Sequence, residues 1–330
     1  MARLPLPDGF LLAIHRPISA FNYYMSIEKE VQGGWQSYST GSLQYHLVSS
    51  YMDADLRIDT KTLGKFGQRI LRGLFLVIPE FLKLKIAQLI VKAVNRWYPQ
   101  DNPFFRYLPG GLCLKIGKRV DRNEANALLL IDKMTSIPAP KLIGFTRDEK
   151  NNVGYLIMTM IPGVPADSVY YRMSYDERIQ LAKDLGRHIS EYRQIPNPHA
   201  DYLICDTLGG PTTDHRTDIV QRTNLRIFLE GLEGQRDKYP LRYLYEKHHS
   251  VCFTHSDLHL SNILVLRGKF SGLVDWKSAC FTPEYWEYTR AIWAHQGNKR
   301  TESELGHAFD KCYHDELEAE KFIWMANPTF

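Results

Sequence analysis

The sequence predicts an α+β fold in two parts, a small sheet-bearing part followed by a larger, mainly helical one. Three observations carry that expectation. Apolar strand-like runs flank a single helical stretch before Pro162-Gly163, helical periodicity takes over after it, and a late hairpin follows a loop dense in His, Asp and Asn. With 330 residues and 44% apolar composition, the chain has room for both parts and can bury a sizeable core.

Residues 1–60 show no period and form an unassigned N-terminal extension. From Lys61 to Arg96, eight basic residues face one acid, Glu80. After Pro79 the apolar positions Leu82, Ile86, Leu89, Ile90, Ala93 and Trp97 fall on one helical face, with Lys85, Gln88, Lys92 and Asn95 on the other. Amphipathic helices of this kind ordinarily pack on the domain beside them. Peripheral contact with an anionic membrane through 80–98 is the less common use of the same pattern.

Pro109-Gly110-Gly111 marks a turn, and Leu112-Cys113-Leu114-Lys115-Ile116 follows as a strand. Arg122 to Met134 reads as a helix. Leu142 to Phe145 and Gly154 to Met160 read as two more strands, the second closing at Pro162-Gly163. Ser174 with Glu177 three residues later forms a capping box, and Ile179, Ala182, Leu185, Ile189 and Tyr192 continue at helical spacing until Pro196. Ser250 to Thr254 is a short strand. Ile263 to Leu266 and Ser271 to Val274 then form a hairpin around Arg267-Gly268-Lys269. The resulting division is an N-lobe with preceding amphipathic helices over 61–161 and a helical C-lobe over 162–330.

Composition narrows the function. Lys and Arg number 41 against 37 Asp and Glu, a formal net charge of +4, which is too mild a bias for a nucleic-acid partner. The five cysteines, at 113, 205, 252, 280 and 312, include no CxxC pair and suit a reducing compartment better than a disulfide framework. Phe10 to Ile14 is too short for a signal-peptide core. Ile70 to Val94, the most apolar stretch, contains Pro79, Glu80, Lys83 and Lys85, so no transmembrane span is expected. A cytoplasmic protein is the expectation.

The chemistry-bearing segment runs Thr254-His255-Ser256-Asp257-Leu258-His259-Leu260-Ser261-Asn262 and holds the spacing H-x-D-x-x-x-x-N, while Asp275 closes the next strand as Val274-Asp275-Trp276. Phosphoryl transfer asks for a carboxylate to orient the attacking hydroxyl and oxygen ligands to hold Mg2+ on the phosphates. A loop with Asp257 and Asn262, followed by a hairpin that returns with Asp275, places three oxygen groups around one point. Upstream, Lys115 lies in an apolar strand, where an unpaired charge is unfavourable, and Glu124 on the next helix stands at a distance that could let the two pair. A Lys–Glu pair of this kind anchors ATP phosphates in kinases. Without Asp257, an ordinary surface ion pair would explain those two residues.

Read as a strand, the same loop would put His255, Asp257 and His259 on one side, and with His248 and His249 upstream a metallohydrolase centre is conceivable. That reading leaves Asn262, Asp275, Lys115 and Glu124 without a role.

The chain resembles the aminoglycoside phosphotransferase and choline kinase-like family, above all its fungal-type members of unassigned substrate. The resemblance runs through Tyr107-Leu108-Pro109-Gly110-Gly111-Leu112, Ser136-Ile137-Pro138-Ala139-Pro140-Lys141, Gly209-Gly210-Pro211 with Asp214-His215-Arg216, the loop at His255, and Pro283-Glu284-Tyr285-Trp286-Glu287. It covers roughly two thirds of the chain in the family's order. It implies a two-lobed, protein-kinase-like fold with a small antiparallel sheet and one helix in the N-lobe. It also implies an ATP- and Mg2+-dependent phosphotransferase acting on a hydroxyl of a small molecule. Asp257 would be the base, Asn262 and Asp275 the Mg2+ ligands, Lys115 the phosphate-binding lysine and Glu124 its partner. Met158 to Met160 would form the hinge that contacts adenine, and His255 would brace the loop.

Four departures stand out. Ser256 replaces a usual Gly, Lys277 a usual Glu after Asp-Trp, and Thr159 a common hinge acid; and no glycine-rich phosphate loop precedes Pro109, since Gly64, Gly67 and Gly73 are wrongly spaced. Lys277 and the missing loop favour an alternative, a non-catalytic kinase-like nucleotide-binding module, which the intact Asp257, Asn262 and Asp275 oppose. Tyr285, Trp286, Tyr288 and Trp293 could cage a cationic substrate, but their helical spacing suits core packing better. Nearby acids such as Glu284, Glu287 and Asp310 could read a cation, but a solvated face is the commoner role for such residues.

Overall fold

The computed structural model describes residues 64–97, 104–202, 204–214, 217–220, 247–295 and 297–326. The extension over 1–60 and the family-like His215 and Arg216 lie outside them. The chain groups into two compact units. One takes the described residues up to Val120 together with Ile143–Met160, and the other takes Asp121–Leu142 and the residues from Ile161 on.

The first unit opens with α1 (Lys65–Val77) and α2 (Glu80–Trp97). Then come β1 (Phe105–Leu108), β2 (Leu112–Gly117), β3 (Leu142–Asp148) and β4 (Val153–Thr159), in the spatial order β1-β2-β4-β3. The strand β2 runs antiparallel to both neighbours, with Lys115 opposite Phe105 on β1 and Leu156 on β4. Gly110 and Gly111 take φ of 79° and 70° in the β1–β2 turn, a region in which side chains are strained, so the Pro-Gly-Gly run signals a turn for a steric reason. The sequence does not announce β1, because its four residues carry no alternation.

Phe75, Leu112, Leu114, Ile143 and Ile157 form the core, with Leu71, Ile90 and Val91 packed against it. A Cβ at Gly144 would run into the Phe75 ring, so α1 approaches β3 this closely only over a glycine. The helix expected after Pro79 does pack on the unit, yet its expected apolar face is split. Ala87 and Val94 are its buried positions, while Leu89 and Trp97 are 62% and 68% exposed.

The second unit contains α3 (Arg122–Met134), β5 (Val164–Pro165), α4 (Ala166–Val169) and α5 (Tyr175–Tyr192). Short strands follow: β6 (Cys205–Asp206), β7 (Thr212–Asp214), β8 (Thr217–Val220), β9 (Val251–Thr254), β10 (Ile263–Leu266), β11 (Lys269–Leu273) and β12 (Cys280–Pro283). The helices α6 (Trp286–Trp293), α7 (Lys299–Gly306) and α8 (His314–Ala326) complete it. The strands form three small ribbons, β11-β10-β5, β6-β12-β9 and β7-β8.

The helix α3 has the expected bounds, capped by Asp121, whose side chain accepts from the Glu124 N–H at 3.1 Å. It groups with the second unit rather than with the N-lobe assigned from sequence. Asn123 supplies a reason: its amide donates to the Lys277 and Ala279 carbonyls at 3.0 and 2.9 Å and accepts from the Thr207 N–H at 2.9 Å. Both bonds of the Ser174–Glu177 capping box are present at the start of α5.

Trp276 is fully buried, edge-on to Tyr192 with centroids 5.7 Å apart and 4.5 Å from the His255 ring. This aromatic floor lies directly against the His-Asp-Asn loop. The order strand, strand, helix, strand, strand, then a mainly helical unit with a late hairpin, is the α+β, two-lobed, protein-kinase-like plan.

Candidate active site

The strand β9 delivers the chain to His255, which has no solvent exposure. One ring nitrogen meets the Val274 carbonyl at 3.0 Å, and the other accepts from the Asp257 N–H at 3.3 Å. With both nitrogens engaged, His255 ties the loop to the end of β11 and is in no position to take a proton or a metal. Among the described residues no group of three or more His, Cys, Asp and Glu side chains could hold a metal ion, so the alternating His255, Asp257 and His259 build no metallohydrolase centre. His249 points elsewhere, toward Glu284 at 3.4 Å and Glu316 at 3.5 Å.

Ser256 holds a left-handed backbone with φ of 61°, a conformation that costs a residue other than glycine roughly 1–2 kcal/mol. Its surroundings hold it there. The N–H donates to Glu287 Oε1 at 3.0 Å, the carbonyl accepts from Arg290 Nε at 3.0 Å, and the hydroxyl meets Thr254 Oγ1 at 2.7 Å. Ser256 thus keeps the backbone shape that a glycine would take freely.

Glu287 corrects an expectation. Instead of a solvated face it is fully buried, and Oε2 accepts from the His255 N–H at 2.6 Å and from the Tyr192 hydroxyl at 2.8 Å. Glu287 and Arg290 lie three residues apart on one face of α6 and grip consecutive peptides of the loop. Sequence reasoning placed Glu287 on the surface and passed over Arg290. The available signal was an acid and a base at i, i+3 among apolar neighbours, Tyr285-Trp286-Glu287-Tyr288-Thr289-Arg290. Trp286 and Tyr288 are 4% and 2% exposed, and Tyr288 packs edge-on against Phe309, so these rings are core and form no cation cage.

The loop carries Asp257 to a polar cluster. Its carboxylate lies 3.5 Å from His259 Nε2, 3.5 Å from Lys277 Nζ and 3.8 Å from Arg290. Burial pushes the Asp257 carboxyl up, but the positive charge of His259, Lys277 and Arg290 outweighs it, and the group sits below its ordinary value. Burial depresses His259 in turn, with only partial relief from Asp257 and Asp275. Asn262 donates its amide to the Asp257 carbonyl at 2.8 Å, which leaves its oxygen as the group it can offer a ligand. Asp275 closes β11 in the left-handed region, φ 62° and ψ 63°, with Lys277 Nζ at 3.1 Å.

Asp257, Asn262, Asp275, Lys277 and Arg290 all belong to the second unit, and side-chain contacts link them there. Glu124 belongs to that unit too, in the first turn of α3 and 1% exposed. Lys115 belongs to the first unit, 8% exposed on β2 with its ammonium 5.9 Å from the Phe105 ring centroid. Met158 is buried on β4 opposite Cys113, and the Met160 N–H already donates to the Gly111 carbonyl at 2.8 Å. Of the two hinge residues, Met160 therefore has its carbonyl, not its N–H, to offer a base. Gly67 and Gly73 lie inside α1, where they form no phosphate loop.

A family model described as the phosphotransferase enzyme family matches residues 117–321, more than half the chain. The chain belongs to that family. Solved phosphotransferase structures with a distant likeness are also found. Aminoglycoside phosphotransferase APH(4)-Ia is 11% identical, with a TM-score of 0.48 over 72% of this chain and 88% of that one. A ternary complex of a thermostable mutant of that enzyme with ADP and hygromycin B is 10% identical, with a TM-score of 0.47 over 71% and 87%. The GDP and kanamycin complex of APH(2")-IIIa is 14% identical, with a TM-score of 0.45 over 72% and 87%. At those values the structural likeness adds nothing to the family assignment. A search of curated proteins finds no match. The phosphotransferase match begins just after Lys115, so the polar cluster around Asp257 lies wholly inside it.

Proposed function

We propose that this phosphotransferase moves the γ-phosphate of ATP to a hydroxyl of a small molecule, with Asp257 as the base. The observation that carries the reading is the Asp257 carboxylate, held on a hydrogen-bonded loop beside two further oxygen-bearing side chains, Asn262 and Asp275. As the substrate oxygen bonds to phosphorus and the bond to ADP breaks, the hydroxyl proton passes to Asp257. Arg290 and the Glu287-held peptides keep that carboxylate aimed. Lys115 would bind the phosphates, and Met158 to Met160 would border the adenine.

The donor chemistry fits Mg2+: a carboxylate on Asp275 and an amide oxygen on Asn262 are the hard oxygen ligands that ion prefers. When bound, Mg2+ supplies neutralising charge on the phosphates.

One observation favours a second reading, a nucleotide-binding module without transfer: the Lys277 ammonium lies against both Asp257 and Asp275. A screen of hydroxylated amines, sugars and amino alcohols for phosphate uptake from ATP separates the two. Transfer by the wild type, reduced roughly 10²–10⁴-fold in Asp257→Asn with ATP binding retained, supports the first reading. ATP binding with no acceptor phosphorylated leaves the binding module, and undiminished transfer by Asp257→Asn removes Asp257 from the role of base.

A further inference from the structure

Lys277 is placed with some care by its neighbours. Trp276 turns into the core, the one-turn 3-10 helix Trp276–Ser278 follows from the left-handed Asp275, and Asn123 holds the Lys277 carbonyl at 3.0 Å. The side chain is thereby returned toward the loop, with Nζ 3.1 Å from Asp275 Oδ2 and 3.5 Å from Asp257 Oδ2. A single ammonium bridging two carboxylates at these distances supplies part of the positive charge that a divalent ion would bring to them.

We propose that Lys277 is a built-in counter-cation for Asp257 and Asp275 and competes with a divalent ion for Asp275. This rests on the reading of Asp275 as a metal ligand. An ammonium and a divalent ion sharing one carboxylate repel each other, and a four-carbon stem with rotatable bonds lets Lys277 swing away when the ion enters. The consequence is a raised metal requirement and a pair of carboxylates kept partly compensated between turnovers.

The test is a Mn2+ titration of the nucleotide-free full chain, followed by electron paramagnetic resonance, for wild type, Lys277→Ala, Lys277→Glu and Lys277→Arg. Removing the ammonium lowers the Mn2+ concentration at half-saturation by about tenfold, Lys277→Glu lowers it further, and Lys277→Arg stays near wild type. Equal midpoints in all four, or weaker binding by Lys277→Ala, overturn the proposal. Asp275→Ala in the Lys277→Ala background separates the two layers. If that double variant binds Mn2+ as well as Lys277→Ala does, the ligand assignment of Asp275 has failed, not the competition alone.

A second inference comes from the first unit. Phe66, Ile70, Leu74 and Val77 recur at helical spacing on the side of α1 away from the buried Phe75, each between 48% and 79% exposed. Phe81 and Leu89 on α2 are exposed as well, at 67% and 62%. Exposed Lys65, Arg69, Lys85, Lys92 and Arg96 accompany them, and the only acid of the two helices, Glu80, is taken up by Lys83 at 3.2 Å. No helix among the described residues is long and apolar enough to cross a membrane.

We infer that the outer side of α1 and α2 docks on an anionic lipid surface, the apolar side chains entering the interface and the bases meeting the headgroups. Flotation of the full chain with phosphatidylcholine vesicles, alone or mixed with phosphatidylserine, tests it. Binding to the mixed vesicles that salt reverses, and that both Leu74→Asp/Val77→Asp and Lys85→Glu/Lys92→Glu abolish, is the expected result. No flotation, equal binding to both vesicle types, or a dimer in sedimentation that Leu74→Asp dissociates overturns it, the last in favour of a second copy of this chain.

Discussion

The loop from Thr254 to Asn262 and the helix pair α1–α2 use opposite chemistry at the same kind of place, the edge of a compact unit. In the loop, polar groups are buried and hydrogen-bonded: Glu287 alone takes two backbone N–H groups and a hydroxyl. In the helix pair, large apolar side chains are left in water while Phe75, Leu71, Ile90 and Val91 meet the sheet. The loop's geometry is therefore over-determined from several elements, whereas among the described residues the helix pair is held from the sheet side. A buried polar network tolerates no missing member, because each stranded group keeps its full desolvation penalty. An exposed apolar side chain can be removed without that consequence.

The sharpest break of this contrast is Glu287→Ala. It strands two N–H groups and the Tyr192 hydroxyl, and at roughly 1–3 kcal/mol for each buried group the unfolding free energy should fall by about 3–5 kcal/mol. Chemical denaturation measures it, and a loss under about 1 kcal/mol would mean the loop is not held from α6. Phe75→Ala probes the one anchored face of α1 and should cost about 3–4 kcal/mol, read in the same way.

Asp167 sharpens the comparison through pH. It lies in α4, which packs on the one-turn helix Leu260–Asn262. Its Oδ1 is buried without a hydrogen-bond partner among the described residues, and burial pushes its carboxyl up to about 7. Between its unfolded value near 4 and its folded value, the folded protein binds the extra proton, so its contribution falls as pH rises through that window. Asp167→Asn should accordingly raise Tm at pH 8, on the order of 1 kcal/mol in stability, and have less effect at pH 5. An equal change at both pH values would show that the carboxyl does not titrate in this window. The smallest effect belongs to the exposed stripe: Leu74→Ser should leave stability within about 0.5 kcal/mol of wild type, and a larger loss would show that α1 is covered in the folded protein.

Much of the fold was legible locally. The Pro109-Gly110-Gly111 turn, the Arg122–Met134 helix, the Ser174–Glu177 capping box and the hairpin at Gly268 are written in residues whose conformational preferences act over a few positions. The strand β1 was not, since Phe105–Leu108 has no alternation and takes its place by pairing with β2.

By itself, the sequence determined the chemical vocabulary of this protein: the spacing from His255 to Asn262, the return of Asp275, and the lysine two residues beyond it. Spacing is a covalent property and survives any packing. Tertiary structure alone decided which charges face which. It turned Glu287 inward beneath the loop, although its neighbours in sequence suggested a solvated face, and it brought the Lys277 ammonium between two carboxylates, although the chain was equally compatible with Lys277 in solvent. The reason is physical: burial and pair distances come from elements far apart in sequence, α3 through Asn123 and α6 through Glu287 and Arg290, and no local preference encodes them.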